Sequence, residues 1–238
     1  MGKKQRIDKI LSNMGYGTRK EVKELISGGL VEIDGIVVKE PGQQVTADSQ
    51  EIKVGGRKLL YKDFIYIMMN KPQGVISATV DSREKTVIDL LPDEFKAFKP
   101  FPVGRLDKDT EGLLLLTNDG QMAHRLLSPK KHVPKTYIAK VAGRVSQEDA
   151  EAFGKGVILE DGYKTMASKL QILVRGSISH VEVTIYEGKF HQVKRMFQAV
   201  GKEVIFLKRI SMGELKLDET LEPGEYRELN EEELRILS

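Results

Sequence analysis

A chain of 238 residues, 40% hydrophobic and 31% charged, is long enough for one large domain or for a small one followed by a medium one, and its composition is that of a soluble globular protein. With no cysteine it has no disulfide, thiolate zinc site or cysteine nucleophile, which fits a reducing cytoplasm; no apolar run approaches the roughly 18 residues of a membrane span, and the basic opening Met1-Gly2-Lys3-Lys4-Gln5-Arg6 has no signal-peptide core behind it. Lys and Arg stand against Asp and Glu at 11 to 8 over residues 1–60, 24 to 18 over 61–213 and 3 to 9 over 214–238, so a body of +9 carries a tail of −6, an asymmetry that suits a polyanionic partner.

Ile7, Ile10, Leu11 and Met14 have the spacing of an amphipathic helix that Gly15-Tyr16-Gly17 ends. Thr18 with Glu21 is a capping-box pattern for a second helix, with Val22, Leu25 and Ile26 as its stripe and Gly28-Gly29 as its stop. Two short strands, 31–33 and 36–38, flank the hairpin dipeptide Asp34-Gly35, and a third follows at 51–54. Arg6, Lys9, Arg19, Lys20 and Lys23 give the helices a basic face, which is either a solvated surface or a contact for a polyanion. Thr18-Arg19 and Gly29-Leu30-Val31-Glu32-Ile33-Asp34-Gly35, in this order of elements, resemble an S4-type RNA-binding domain; the resemblance implies that the basic face lies on folded RNA. Gly55-Gly56-Arg57-Lys58 has linker composition and divides the chain into 1–58 and 59–238.

The second part opens with the strand-like run Phe64-Ile65-Tyr66-Ile67-Met68-Met69, which Asn70-Lys71-Pro72-Gln73-Gly74 stops with Lys71 at its end. Residues 75–85 read as a polar surface loop. Then comes Gly104-Arg105-Leu106-Asp107-Lys108-Asp109-Thr110-Glu111-Gly112, three acids in five residues, running into four leucines and Thr117-Asn118-Asp119-Gly120. This is either a solvated acidic turn or a loop clamped to a buried strand so that one carboxylate stays rigid and reachable. Asn118 and Gln121 stand in capping-box register for a short helix.

Lys130, Lys131 and Lys135 belong to a basic loop that leads into alternating residues 136–141, with Tyr137, Ala139 and Val141 on the apolar side. Ser146 starts a helix, Asp161-Gly162 marks a hairpin, and 180–186 alternates as a strand. In Glu187-Gly188-Lys189-Phe190-His191-Gln192-Val193-Lys194-Arg195-Met196-Phe197, the residues Val193, Met196, Phe197 and Val200 line one helix face, with Gly201 as the C′ residue. Strands at 204–207 and 215–217, a turn at Pro223-Gly224 and a helix capped by Asn230 with Glu233 complete the chain. Many hairpin-joined strands with irregularly placed helices predict an α+β fold on a mixed, mainly antiparallel sheet.

No serine-nucleophile elbow, Walker loop or zinc-protease motif is present, and His124, His132, His180 and His191 are not spaced as metal ligands. The acids at 107–111 remain as the reactive candidates. At this point the motifs become specific: residues 104–120 resemble the signature of the RsuA/RluB/RluE/RluF group of RNA pseudouridine synthases. Residues 70–74 are similar to that group's first motif, Lys135-Thr136-Tyr137 to its tyrosine motif and 188–196 to its third.

The resemblance implies isomerisation of a uridine in ribosomal RNA, with the wording of 135–137, 191–197 and 223–227 most similar to the branch acting on small-subunit (16S) RNA. It makes Asp107 the catalytic aspartate, Tyr137 the ring that stacks on the base, Lys194 the basic partner of Asp107, and Leu207 an apolar pocket residue. Arg105 is placed against a phosphate or the space left by a flipped base. The RNA-contacting set becomes Arg6, Arg19, Lys20, Lys23, Lys71, Arg105, Lys130, Lys131, Lys135, His191, Gln192 and Arg195. The reaction consumes no water and changes no oxidation state, so no cofactor and no metal is expected; ribosomal RNA is the expected partner, free or within an assembling subunit, and the protein is expected to be a cytoplasmic monomer. A large-subunit (23S) synthase of the same group is the alternative within the resemblance, a non-catalytic ribosome-assembly factor using only the S4-like part is the other class of reading, and a nucleosidase-like hydrolase a third.

Overall fold

The computed structural model describes residues 4–47, 49–59 and 61–237; Met1-Gly2-Lys3 of the basic opening lie outside them. The chain forms two compact units, one made of residues up to Ile65 together with Leu91–Pro100, the other of Tyr66–Leu90 with Phe101–Ser238. Among the described residues no helix is long and apolar enough to cross a membrane.

In the first unit β1 (Gln5–Arg6) runs into α1 (Ile7–Asn13), and α2 (Arg19–Ser27) follows. Thr18 caps α2 as its sequence pattern requires: its hydroxyl accepts from the Glu21 N–H and the Glu21 carboxylate accepts from its own N–H. Strands β2 (Val31–Ile33), β3 (Ile36–Val38), β4 (Gln44–Val45), β5 (Ile52–Val54) and β6 (Arg57–Lys58) follow, with β4 on β1 and the rest in the antiparallel order β3-β2-β5-β6. Ile7, Ile10, Leu11, Val22 and Ile26 pack on Val31, Ile33 and Ile52 to make the core. Asp34 (φ 52°) and Gly35 (φ 79°) are both left-handed, which is the turn a two-residue hairpin needs.

Gly55-Gly56 corrects its linker reading. With φ of 56° and 76° the two glycines turn β5 directly into β6, and Arg57-Lys58 pairs within the sheet. Linkers and two-residue hairpins share this composition, since glycine gives the one its freedom and the other the positive φ its turn requires. A short helix, α3 (Asp93–Lys96), also belongs to this unit.

The second unit contains β7 (Tyr66–Lys71), β8 (Phe101–Pro102), β9 (Glu111–Thr117), α4 (Gly120–Leu127), β10 (Lys135–Ala142), α5 (Gln147–Lys155), β11 (Lys169–Val174) and β12 (Ile178–Ile185). It continues through α6 (Gln192–Ala199), β13 (Glu203–Met212), β14 (Leu215–Lys216), β15 (Tyr226–Glu228) and α7 (Glu231–Ile236). Its sheet runs β11-β12-β10-β13-β9-β7-β15, with β14 added to β13 and β8 to β9. Every pairing is antiparallel except β13 with β9, so the expected α+β architecture on a mixed, mainly antiparallel sheet is the one observed. Leu113 to Leu116 of β9 are fully buried, because elements cover both faces of this central strand. Phe153 of α5 meets Phe197 of α6 with ring centroids 4.9 Å apart.

Two local expectations shift. The cap of α4 is Asp119, one residue after Asn118, and its Oδ1 accepts from the N–H groups of Gln121 and Met122; Asp119 has the extended backbone of a cap, which sends its carboxylate back over the first turn. The strand expected at 204–207 continues to Met212, and this extension creates the parallel contact with β9.

Candidate active site

The 104–112 loop enters β9 at the one parallel junction of the sheet, where Glu111 pairs with Lys208 and Gly112 with Arg209. Gly112 has φ 103°, and a β-carbon on it would lie 2.2 Å from the Arg209 carbonyl oxygen. Only glycine allows β13 so close.

Two side chains hold the loop from below. Lys71, with no exposed surface, donates from Nζ to the carbonyls of Pro72 (3.0 Å), Asp107 (3.0 Å) and Thr110 (2.9 Å). Burial pushes its ammonium down to about 8, against the opposing pull of Asp107, Asp109 and Glu111. The expectation that Lys71 contacts RNA is therefore corrected: its charge is enclosed and directed at loop carbonyls. Ser77, in the stretch read as a polar surface loop, is buried; its Oγ donates to the Leu106 carbonyl (2.9 Å) and accepts from the Leu106 N–H (3.0 Å).

This grip leaves the Asp107 carboxylate half-buried beside α6. His191 Nε2 lies 3.5 Å from Asp107 Oδ1, and Lys194 Nζ lies 3.7 Å from Asp107 Oδ2 and 2.5 Å from Asp109 Oδ1. His191 is the left-handed N-cap of α6 (φ 47°), so the imidazole and the ammonium one turn later reach the loop together. Burial raises the Asp109 carboxyl, but the hydrogen bond and charge of Lys194 outweigh it and hold the group below its ordinary value.

Asp107 borders a cavity of about 410 Å³, a size suited to a small ligand. Its floor comes from β10 and β13, where Tyr137 pairs with Arg209 and Ala139 with Leu207. Alternate residues of a strand share a face, so Lys135, Tyr137, Leu207 and Arg209 all line the cavity. Arg105 and His191 also line it. Lys130 and Lys131, in a 3-10 turn over Pro129–Lys131, are exposed but do not line it. Arg6, Arg19, Lys20 and Lys23 are exposed on the first unit, with Arg6 paired to Asp8 at 2.7 Å.

Two further residues of the expected RNA-contacting set are engaged internally. Gln192 is buried, its amide donating to Glu187 (2.7 Å) and accepting from the Lys189 N–H (2.9 Å). The Arg195 side chain is 13% exposed and grips Glu160 (2.6 Å) and Asp161 (2.5 Å). Both anchor α6, because their polar ends meet acids of adjacent loops before they reach solvent.

Sequence reasoning did not select Tyr163, Glu187 or Arg209 for the site. Glu187 accepts from the Tyr163 hydroxyl (2.6 Å) and the Met166 N–H (2.9 Å) as well as Gln192, and the bond to Glu187 raises the Tyr163 phenol above its ordinary value. The adjacent Asp161-Gly162 turn and the Glu187-Gly188 start of the dense motif were the available signals. Arg209 had none, since its place follows from strand pairing alone. The assembled groups present a carboxylate flanked by an imidazole and an ammonium, next to a cavity with an aromatic and an aliphatic wall. That arrangement suits a nucleophile or cation stabiliser acting on a flat, ring-containing ligand.

Comparison with known proteins accords with this. The family described as RNA pseudouridylate synthase matches residues 65–199, and the S4 domain matches residues 5–58. An uncharacterized RNA pseudouridine synthase, YtzG of Bacillus subtilis (strain 168), is 58% identical over 234 residues, 98% of each chain. Ribosomal small subunit pseudouridine synthase A of Vibrio cholerae is 42% identical over 230 residues, 96% of this chain and 97% of the relative. Ribosomal large subunit pseudouridine synthase B of Bacillus subtilis is 41% identical over 238 residues, 98% of this chain and 95% of the relative. A crystal structure of a pseudouridylate synthase superposes with a TM-score of 0.69 at 37% identity, covering 98% of this chain and 99% of the other.

Proposed function

The chain belongs to the RNA pseudouridylate synthase family, and from that membership we propose that it isomerises one uridine of ribosomal RNA to pseudouridine, with Asp107 as the reacting carboxylate. The observation that carries this reading is the position of Asp107, between His191 and Lys194 at the edge of the cavity floored by Tyr137 and Leu207. The target nucleotide is flipped out of its stack into the cavity. Its N1–C1′ bond breaks, the base turns, and C5 bonds to C1′ before its proton is lost and N1 is protonated. Asp107 attacks covalently or steadies cationic character at C1′, Lys194 sets a positive charge beside it, and Tyr137 stacks on the detached uracil so that it does not diffuse away, an interaction of about 1–3 kcal/mol. Leu207 closes the apolar wall. Arg105, exposed at the cavity, holds a phosphate or the vacated space in the RNA. Arg19, Lys20 and Lys23 of the S4-type unit contact structured RNA, and the protein works as a cytoplasmic monomer.

Small-subunit RNA is the preferred substrate on the wording of residues 135–137 and 191–197. The 41% identical large-subunit synthase favours a second reading, since it is as similar as the 42% identical small-subunit relative. Mapping pseudouridine in both ribosomal RNAs, from cells with and without the gene, separates them. We expect one small-subunit site to disappear and to return with the wild-type gene but not with Asp107→Asn. Loss of a large-subunit site moves the assignment there; unchanged maps of both RNAs overturn a ribosomal substrate.

A further inference from the structure

The cation that the proposed mechanism leaves unused is Arg209. It is 2% exposed and lines the cavity. Its Nε donates to the Leu113 carbonyl at 2.9 Å, which fixes the guanidinium against β9. Its Nη2 is buried with no hydrogen-bond partner, and no carboxylate pairs with the group among the described residues. A second cation, Lys135, stands on the same strand face two residues before Tyr137, with Nζ on the Val133 carbonyl at 2.8 Å. Burial and the proximity of Arg209 both lower its ammonium. Two poorly hydrated cations therefore face one cavity without an acid between them, an arrangement that is costly to fold unless something negative arrives.

The register of β10 on β13 says what arrives. Arg209 lies directly across from Tyr137, so whatever stacks on that ring presents its edge to the guanidinium. Backbone phosphates remain at the solvent side, where the exposed Arg105 meets them; the base goes deepest. Uracil enters neutral, with carbonyl oxygens O2 and O4 as acceptors. When the N1–C1′ bond breaks, its electron pair stays with N1 and is shared with O2 and O4, and the base is an anion until C5 bonds to C1′. A fixed, buried donor binds that anion better than the neutral base, and so lowers the barrier to bond cleavage.

We propose that Arg209 is a further catalytic residue, its guanidinium donating to a uracil carbonyl oxygen and stabilising the detached uracil anion, with Lys135 adding to the same positive field. This rests on the isomerase reading. Arg209 has an alternative role as a mere staple of the β9–β13 junction through Leu113, and the experiment separates the two.

The full chain is prepared as wild type, Arg209→Lys, Arg209→Gln and Arg209→Met. Single-turnover rates are measured on a ribosomal RNA fragment bearing uridine or 5-fluorouridine at the target, alongside RNA affinity and thermal stability. Loss of one such donor is expected to slow uridine conversion on the order of 10²-fold, with RNA affinity within about threefold and partial recovery in Arg209→Lys. Fluorine stabilises the uracil anion without help from the protein. The deficit of the neutral variants should accordingly shrink about tenfold for departure of 5-fluorouridine. Equal deficits with both bases in folded variants make Arg209 structural and overturn the proposal; if Arg209→Met does not fold, Arg209→Lys and Arg209→Gln supply the same comparison. A wild type that converts no uridine in any ribosomal RNA fragment overturns the isomerase reading and this inference together.

Discussion

A β-carbon on Gly112 would stand 2.2 Å from the carbonyl oxygen of Arg209, so the parallel pairing of β13 with β9 exists because one strand lacks a side chain at that point. Gly112→Ala adds both this clash and a strained φ of 103°. We expect a stability loss on the order of 3 kcal/mol, summing overpacking with left-handed strain. A thermal melt should fall by roughly 6–12 °C for a chain of this size; a change below about 2 °C would mean that β13 yields easily and the contact is not what orders the loop.

Lys194 sits at 2.5 Å from Asp109 but 3.7 Å from Asp107. Removing Asp109 frees the ammonium to move wholly onto Asp107, whereas removing Lys194 leaves two carboxylates side by side. Turnover in Asp109→Asn is expected within about threefold of wild type, and in Lys194→Met it should drop by about tenfold or more, the scale of one lost charge pairing in a half-buried site. The reverse ranking in steady-state assays would make Asp109 the working partner.

The buried ammonium of Lys71, at about 8 instead of 10.5, sets the sign of a stability change with pH. Between these values the unfolded chain binds more protons than the folded one, so stability rises with pH across that window. Below about pH 8 the full penalty of enclosing the charge is carried, on the order of 3 kcal/mol. Urea unfolding at pH 7 and pH 10, compared between wild type and Lys71→Met, should show wild type gaining on the variant at the higher pH. Parallel behaviour would place the ammonium in contact with water.

Arg19, Lys20 and Lys23 lie exposed on or beside one turn of α2. If they meet phosphates, replacing all three by glutamine should weaken RNA binding and lower the slope of log affinity against log salt by about two to three. Filter-binding titrations over a salt series provide the number, and an unaltered slope removes this face from the RNA contact.

What could be read from the chain was whatever neighbours in sequence decide. Thr18 with Glu21, Asp34 with Gly35, and the leucines of β9 form their cap, turn and buried strand from local chemistry. The loop bearing Asp107 and the helix bearing His191 and Lys194 were legible as motifs for the same reason. Contacts made across the sheet were not. Lys71 is a lysine at a strand end in either case, and only the position of three carbonyls turns it inward. Gln192 and Arg195 look like free polar groups until Glu187, Glu160 and Asp161 come alongside. Arg209 acquires its position opposite Tyr137 through a register that no local pattern encodes.

The enclosure of the loop by Lys71 and Ser77 divides its residues by tolerance. Those two side chains act on backbone carbonyls and one N–H, which every residue but proline possesses, so the grip is blind to the side chains the loop displays. Lys108 and Asp109 are exposed, Lys108 paired with Glu84 at 2.7 Å and Asp109 with Lys194 at 2.5 Å, and exchanging either side chain leaves the backbone grip on Asp107 in place. The loop is in this sense a fixed mount with replaceable fittings, in which side chains at 108 and 109 can change while the Asp107 backbone keeps its place.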